Sequence, residues 1–583
     1  MSAIKDRFLR AGEATKLRAE PQRTNPHQSD RKRTWLVLLG LLLLAASAAQ
    51  AQYSVTISGG AVTIDRYTGS GGAVVIPGTI SNLPVSTIGS DAFYGITNVT
   101  SVTMPNSVTS IQNDAFNYCS LTGVTLSTNL AEILDEAFSL SGLTNITIPG
   151  SVTNIGNGVF GGSTNLTAIN VEPQNSVYTS LNGVLFNQNQ TTLVDYPGTG
   201  GSYTIPTNVT TIGVEAFLDS SLTNVTIPTN VTTIGEQAFA GASLTSLTVL
   251  ASVTNLGDFA FSNCPNLASV TIASPVIGED AFYECSGLTN LTMADSVTNI
   301  GENAFNLCSS LASVTIPHGV ISIGEDAFVQ CYSLASVIFS HSLTSIGVGA
   351  FSDCTSLAGI TIPVNVTNIG LEAFLGCSSL IGFVVNSQNA FYSSTNGVLF
   401  NKNQTTLIAC PCTITGTYAI PGGVTNIESY AFFNCTSLTN VTIPASVTNI
   451  GDHAFYYSPN LASVFFSGDP PSIGSYVFLS DNDATVYYLP GATGWSSPFA
   501  GLPAVLWNPL IQGSAASFGL SNNQFGFNVT GTANIPIVVE TSTNLANALW
   551  SPLQTLTLTN GSFFFSQPAQ TNIPARFFRI NSP

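Results

Sequence analysis

Basic residues are nearly missing from most of this chain. Of 13 lysines and arginines, nine fall within residues 1–51, so only Arg66, Lys402, Arg576 and Arg579 serve the rest of the 583 residues. Against them stand 27 of the 31 acidic residues, the other four lying in the first 51, which gives that larger part a net charge near −23. Neutralising phosphates takes lysine and arginine, so nucleic acid is excluded as a partner and an anionic membrane is disfavoured. Charge of either sign is scarce, at 8% of residues, about a third of ordinary usage. Histidine is scarcer still: beyond residue 51 only His318, His341 and His453 occur. His318 and His341 share one repeat position, where two imidazoles have the spacing to share a metal, but exposed turn positions account for both. No nucleophile, base and orienting acid can be assembled by spacing. The chain therefore reads as a non-enzyme with no cofactor, no metal site and no small-molecule substrate.

The first 51 residues have an order of their own. A basic flank ending in Arg31-Lys32-Arg33 precedes an apolar run from Trp35 through Leu44, and Ala49-Gln50-Ala51 closes it with small residues. That is the order of a secretory signal with an A-x-A cleavage site. A signal anchor is the alternative, although about fifteen apolar residues fall short of the roughly 20 that span a bilayer. The expected address is secreted or cell-surface.

What is abundant is repetition. Ala-Phe, or its variant Val-Phe, places a phenylalanine at 93, 116, 138, 160, 217, 239, 261, 282, 305, 328, 351, 374, 432, 455 and 478, at steps of 21 to 23 residues except for two of 57 and 58. A period in the twenties marks a solenoid. In the unit Leu311 to Cys331, Leu311, Val314 and Ile316 have the spacing of a short strand, with Ser313 and Thr315 on its other side. Pro317 has no N–H to continue a ladder. Val320 and Ile323 return inward, Gly324 permits a bend, and Glu325-Asp326 before Ala327-Phe328 reads as one helical turn with acids at its positive end. A single unit buries too little to fold alone, so neighbours must supply its missing faces.

The two long steps match. Asn182-Gly183-Val184-Leu185-Phe186-Asn187 recurs as Asn396-Gly397-Val398-Leu399-Phe400-Asn401, 214 residues later, which predicts hairpin inserts near 172–205 and 386–420. The units of type LTNVTIPxSVTNIGxxAFxxC, the opening Tyr53 to Pro77, Leu83-Pro84-Val85 and the NGVLFN hairpins together resemble the BspA-type leucine-rich repeat family of bacterial surface proteins, over about Tyr53 to Pro490. The resemblance implies a right-handed leucine-rich-repeat solenoid, β-rich with short helical turns, exported or surface-displayed, that adheres to host or neighbouring-cell proteins and matrix. It implies no catalytic residue.

The expected organisation is a leader at 1–51, a solenoid of about 15 repeats at 52–504 and a small sandwich-like all-β module at 505–583. Eight of the ten cysteines follow a repeat phenylalanine by three residues. Cys264, Cys285, Cys308, Cys331, Cys354 and Cys377 form the uninterrupted part of this column, read as a structural ladder of buried thiols, with disulfides between rungs as the alternative that export allows. Cys410-Pro411-Cys412 stands where the sister insert has Tyr196 and Gly198, and a local redox or metal pair is its sharper alternative. Fifteen of the 27 acids lie just before the repeat phenylalanines; helix-start carboxylates are favoured over a calcium ridge, since D-x-D spacing is lacking.

The outward strand face carries a column of threonines, among them Thr226, Thr248, Thr271, Thr292, Thr315 and Thr361. These are the candidate ligand contacts, with Phe465 and Tyr487, where the column turns aromatic. Those two rings are either a docking spot or covered by the C-terminal module, and covering is the favoured reading. Without Trp or Arg on this face, each contact is weak and binding is expected from many at once. The predicted function is adhesion to extracellular proteins or glycans. A purely structural spacer and ice binding through the threonine ladder are the alternatives.

Overall fold

The structure, a computed structural model, describes residues 52–480, 483–514, 518–521, 523–544, 549–568 and 576–581; the expected leader lies outside them. The chain winds into a solenoid of about 18 turns. One turn shows why. Strand Ser313–Thr315 buries Val314 and shows Ser313 and Thr315 to solvent. After Pro317 and Val320 the two-residue strand Ser322–Ile323 turns Ile323 inward. Each strand pairs in parallel with its copy one turn on, Val314 with Val337 and Ile323 with Ile346. Leu311, Ile316, Val320, Phe328 and Cys331 complete an interior with no solvent contact beyond 1%.

The third side of each turn is not helical, contrary to the expectation from Glu325-Asp326-Ala327-Phe328. No α- or 3₁₀-helical residue occurs among the described residues. Asp326 and Gln330 instead take left-handed backbone, φ 49° and 57°, which folds the segment into overlapping tight turns. Asp and Asn recur in the first of these two slots, at 91, 114, 280, 303 and 326, because short polar side chains tolerate that region best. Alternate N–H groups then point along the solenoid axis: Asp326, Phe328 and Gln330 each donate to the next turn, at Val348, Ala350 and Ser352 carbonyls, all at 2.9 Å. The repeat phenylalanines stack behind this backbone ladder, Phe328 on Phe351 with centroids 5.2 Å apart and planes 1° apart.

Antiparallel strands cap and divide the stack. Tyr53–Ser58 and Ala61–Tyr67 pair as a hairpin at the first turn. Tyr178–Leu181 with Val184–Asn187, and Tyr392–Thr395 with Val398–Asn401, form two hairpins set between turns. Both faces of the second strand are buried, and they serve different cores. Leu185 belongs to the N-terminal core, and Val184 and Phe186 belong to the middle one. Leu399 packs into that middle core, and Val398 and Phe400 pack into the next. At each division a tyrosine hydroxyl accepts the amide hydrogen that the interrupted ladder leaves over, Ile155 N–H to Tyr178 Oη and Ile369 N–H to Tyr392 Oη, both 2.9 Å.

Past Leu506, strands Leu510–Gln512, Phe518–Ser521, Gln524–Thr530 and Ser562–Pro568 form one sheet, and Pro536–Ser542, Ser551–Thr557 and Phe577–Asn581 form another. Phe527, Val529, Ile537, Val539 and Phe565 fill the space between them.

Candidate functional site

The threonine column exists as a ladder in register. Thr248 lies beside Thr271 and Thr271 beside Thr292, about 4.8 Å apart as parallel strands require. Thr204 precedes Thr226 in the same column. All six named threonines are exposed. Their neighbours two residues earlier are Ser246, Ser269 and Asn290, also in register. The face is flat, polar and uncharged, because every apolar side chain of these strands points into the core. It is interrupted by aliphatic residues: Thr315 pairs with Ile338 and Thr361 with Val384, which are 62% and 61% exposed.

Phe465 and Tyr487 do not belong to the displayed face. They occupy the threonine column, each one turn on from the last, but only 5% and 7% of their surface is exposed. Both pack into the core of the C-terminal sheets with Phe527, Val529 and Ile537. Trp507 meets Phe465 edge-on at 6.2 Å and donates its indole N–H to the Pro536 carbonyl at 2.8 Å. They are removed from the candidate contacts for this reason.

The six ladder cysteines are fully buried and all ten cysteines are free thiols. Each ladder thiol donates to the carbonyl of the repeat phenylalanine one turn back, Cys264 to Phe239 at 3.2 Å and Cys377 to Phe351 at 3.2 Å. Ser163 and Ser458 hold the same position elsewhere and donate the same way, to Phe138 and Phe432. The column therefore wants a small donor, not sulfur as such. Burial pushes the Cys331 thiol up to about 12 and raises Cys308 and Cys354 as well. These sulfurs stay protonated and inert near neutral pH.

The acids line the ridge before the repeat phenylalanines, stacked turn upon turn. Burial and the neighbouring Glu136, Asp135 and Glu236 push Glu215 up to about 7, and burial with Glu279, Glu302 and Asp258 raises Asp280 to about 6. Among the described residues, no group of three or more His, Cys, Asp or Glu is arranged to hold a metal ion.

One feature of this ridge escaped the sequence reading. In the last turns the left-handed slot holds Tyr430, His453 and Tyr476; Tyr430 stacks on His453 at 4.9 Å, and Tyr476 meets His453 tilted by 35° at 5.4 Å. Counting back two residues from Phe432, Phe455 and Phe478 finds all three, so the signal was present.

A stack of parallel turns with a threonine sheet face, a phenylalanine spine and thiol or hydroxyl rungs defines a leucine-rich repeat solenoid. The profile of the BspA type leucine-rich repeat region matches residues 79–199, 201–277, 276–397 and 410–493. The chain belongs to that family. Among solved structures, a leucine-rich repeat protein of Eubacterium ventriosum is 27% identical over 58% of this chain and 94% of its own, with a TM-score of 0.42. One from Bacteroides ovatus is 26% identical over 58% and 98%, TM-score 0.34. A leucine-rich cell surface protein of Faecalibacterium prausnitzii is 25% identical over 67% and 92%, TM-score 0.34. No curated protein matches the chain.

Proposed function

We propose that the protein is exported and works outside the cell as an adhesive solenoid, binding extracellular proteins or glycans through its threonine face. The observation that carries this reading is the exposed in-register row Thr248, Thr271 and Thr292. A regular array of weak polar contacts gains strength by multiplicity. Proteins of this repeat type are bacterial surface repeat proteins, a setting that fits a binding role. Nothing in the ladder supplies a nucleophile, and its buried thiols are inert, so the reading is non-enzymatic. The leader at 1–51 supports export. Ice recognition needs regularly paired threonines, and here the partners are Ser246, Ser269 and Asn290, which is why proteins and glycans are placed ahead of ice.

The test is a screen of the mature protein on matrix-protein and glycan arrays beside a Thr248→Ala, Thr271→Ala, Thr292→Ala variant. Retention of the wild type and loss by the folded variant is the expected result. Silence of the wild type on every array removes the adhesive reading.

A further inference from the structure

The two inserts are copies, yet one is sealed and the other is open. In the first, the Asp195 carboxylate accepts the Phe160 N–H at 3.1 Å, standing in for the missing next turn, and the Tyr196 ring stacks on Phe217 at 4.8 Å. Gly162 N–H reaches across the division to the Leu218 carbonyl at 2.9 Å. Gly198 makes this closeness attainable: a Cβ there would lie 2.5 Å from the Ser163 carbonyl oxygen. Phe160 is consequently fully buried.

The second insert replaces Asp195 by Ala409, Tyr196 by Cys410 and Gly198 by Cys412. A cysteine side chain has no room where Gly198 sits, so this strand stands off from the turn of Phe374. The Cys412 thiol donates to the Phe433 carbonyl at 3.6 Å, the group corresponding to the Leu218 acceptor. Among the described residues no acceptor takes the N–H of Phe374 or of Gly376. Phe374 regains some exposure, 8%. The result is a cavity of about 410 Å³ walled by Phe374, Leu399, Ala409 and Cys410, with Gly376 beside them, within the ~300–1,000 Å³ range of small-ligand sites. Its wall also carries two carboxylates, Glu372 and Glu428, where the sister insert has Gly158 and Gly213.

We propose that this cavity binds an aromatic amine that also bears an acceptor oxygen, that is, an aromatic amino acid or the N-terminal aromatic residue of a peptide. The ligand restores the acceptor that the sister insert builds from its own chain. Its ring packs among Phe374, Phe383 and Tyr392 of the cavity wall, and its carboxylate or carbonyl oxygen accepts from Phe374 and Gly376 as the Asp195 carboxylate accepts from Phe160. Charge sets the selectivity: Glu372 and Glu428 favour a protonated amine and disfavour a simple aromatic acid. The inference is independent of the threonine face, which lies on another side of the turn.

Titration calorimetry on the mature protein tests it with three probes: L-phenylalanine, the tripeptide Phe-Gly-Gly and 3-phenylpropanoate, which lacks the amine. The expected result is one site for L-phenylalanine, the tripeptide or both, with Kd below about 1 mM, and at least about tenfold weaker binding of 3-phenylpropanoate. Which amine binds tells the free molecule from the peptide. The variant Ala409→Asp supplies the sister insert's own acceptor to the Phe374 N–H and is expected to abolish binding. Glu372→Gln with Glu428→Gln leaves the cavity's shape and is expected to erase the preference for the amine. Silence of both amines at about ten times that concentration, or full binding by the folded Ala409→Asp variant, overturns the proposal.

Discussion

Cys331 donates its thiol hydrogen to the carbonyl oxygen of Phe305, one turn back, at 3.3 Å. That bond fixes the role of the cysteine column as buried second donors to a carbonyl that already accepts a backbone amide, here the Cys308 N–H at 3.2 Å. Cys331→Ser keeps the donor and is expected to shift the unfolding midpoint little. Cys331→Ala removes that second donor and opens a small void, costing about 1–2 kcal/mol. Guanidinium unfolding of the two variants side by side checks the order.

The phenylalanine spine is continuous wherever turns stack directly. Phe328 touches Phe305 and Phe351, both at 5.2 Å, so Phe328→Ala breaks two ring contacts and leaves a cavity worth about 3–5 kcal/mol. Because turns support only their neighbours, the loss should be local. Hydrogen exchange is expected to rise first in residues 305–351 while the turns before Phe160 keep their protection.

The acidic ridge makes stability depend on pH in an uncommon direction. Glu215 is pushed up to about 7 and Asp280 to about 6, so the fold prefers their protonated forms. That stabilisation is complete below the ordinary carboxylate range, near pH 4, and is lost as pH rises towards about 7. Melting temperature should therefore fall between about pH 4.5 and 7. Glu215→Gln should flatten that slope, and added salt should raise the high-pH end by screening the stacked charges.

Docking of the C-terminal sheets rests on Trp507, Phe465 and Tyr487, which share one core. Trp507→Ala removes the 2.8 Å bond to Pro536 and the edge contact with Phe465. Phe465 and Tyr487 then become accessible. Limited proteolysis is expected to cut near residue 507 in the variant before the wild type, and dye binding to exposed apolar surface should increase.

Much of the architecture was legible because its causes are local and periodic. The inward Val314, Ile316, Ile323 and Phe328 repeat at fixed steps, and so do the outward threonines. The third side was misread because Glu325-Asp326-Ala327-Phe328 has the composition of a helix start. The deciding factor, left-handed backbone at Asp326 and Gln330, is a conformation that aspartate and glutamine allow but do not announce. Phe465 and Tyr487 were found in the right column, whereas their loss to the C-terminal core depends on how distant segments dock. The open cavity was the least visible feature. The exchange of Tyr196 and Gly198 for Cys410 and Cys412 stands in the sequence, but its effect on Phe374 follows only from the clearance around Gly198.

The tyrosine hydroxyls at the two divisions have a consequence for how such a protein comes apart and how it grows. Because Tyr178 and Tyr392 terminate the backbone ladder chemically, a pull on either end should unzip the molecule only as far as the nearest hairpin before a new force is required. A segment bounded by such hairpins carries its own finished edge, so duplicating it lengthens the fibre without demanding new complementarity from the turns on either side.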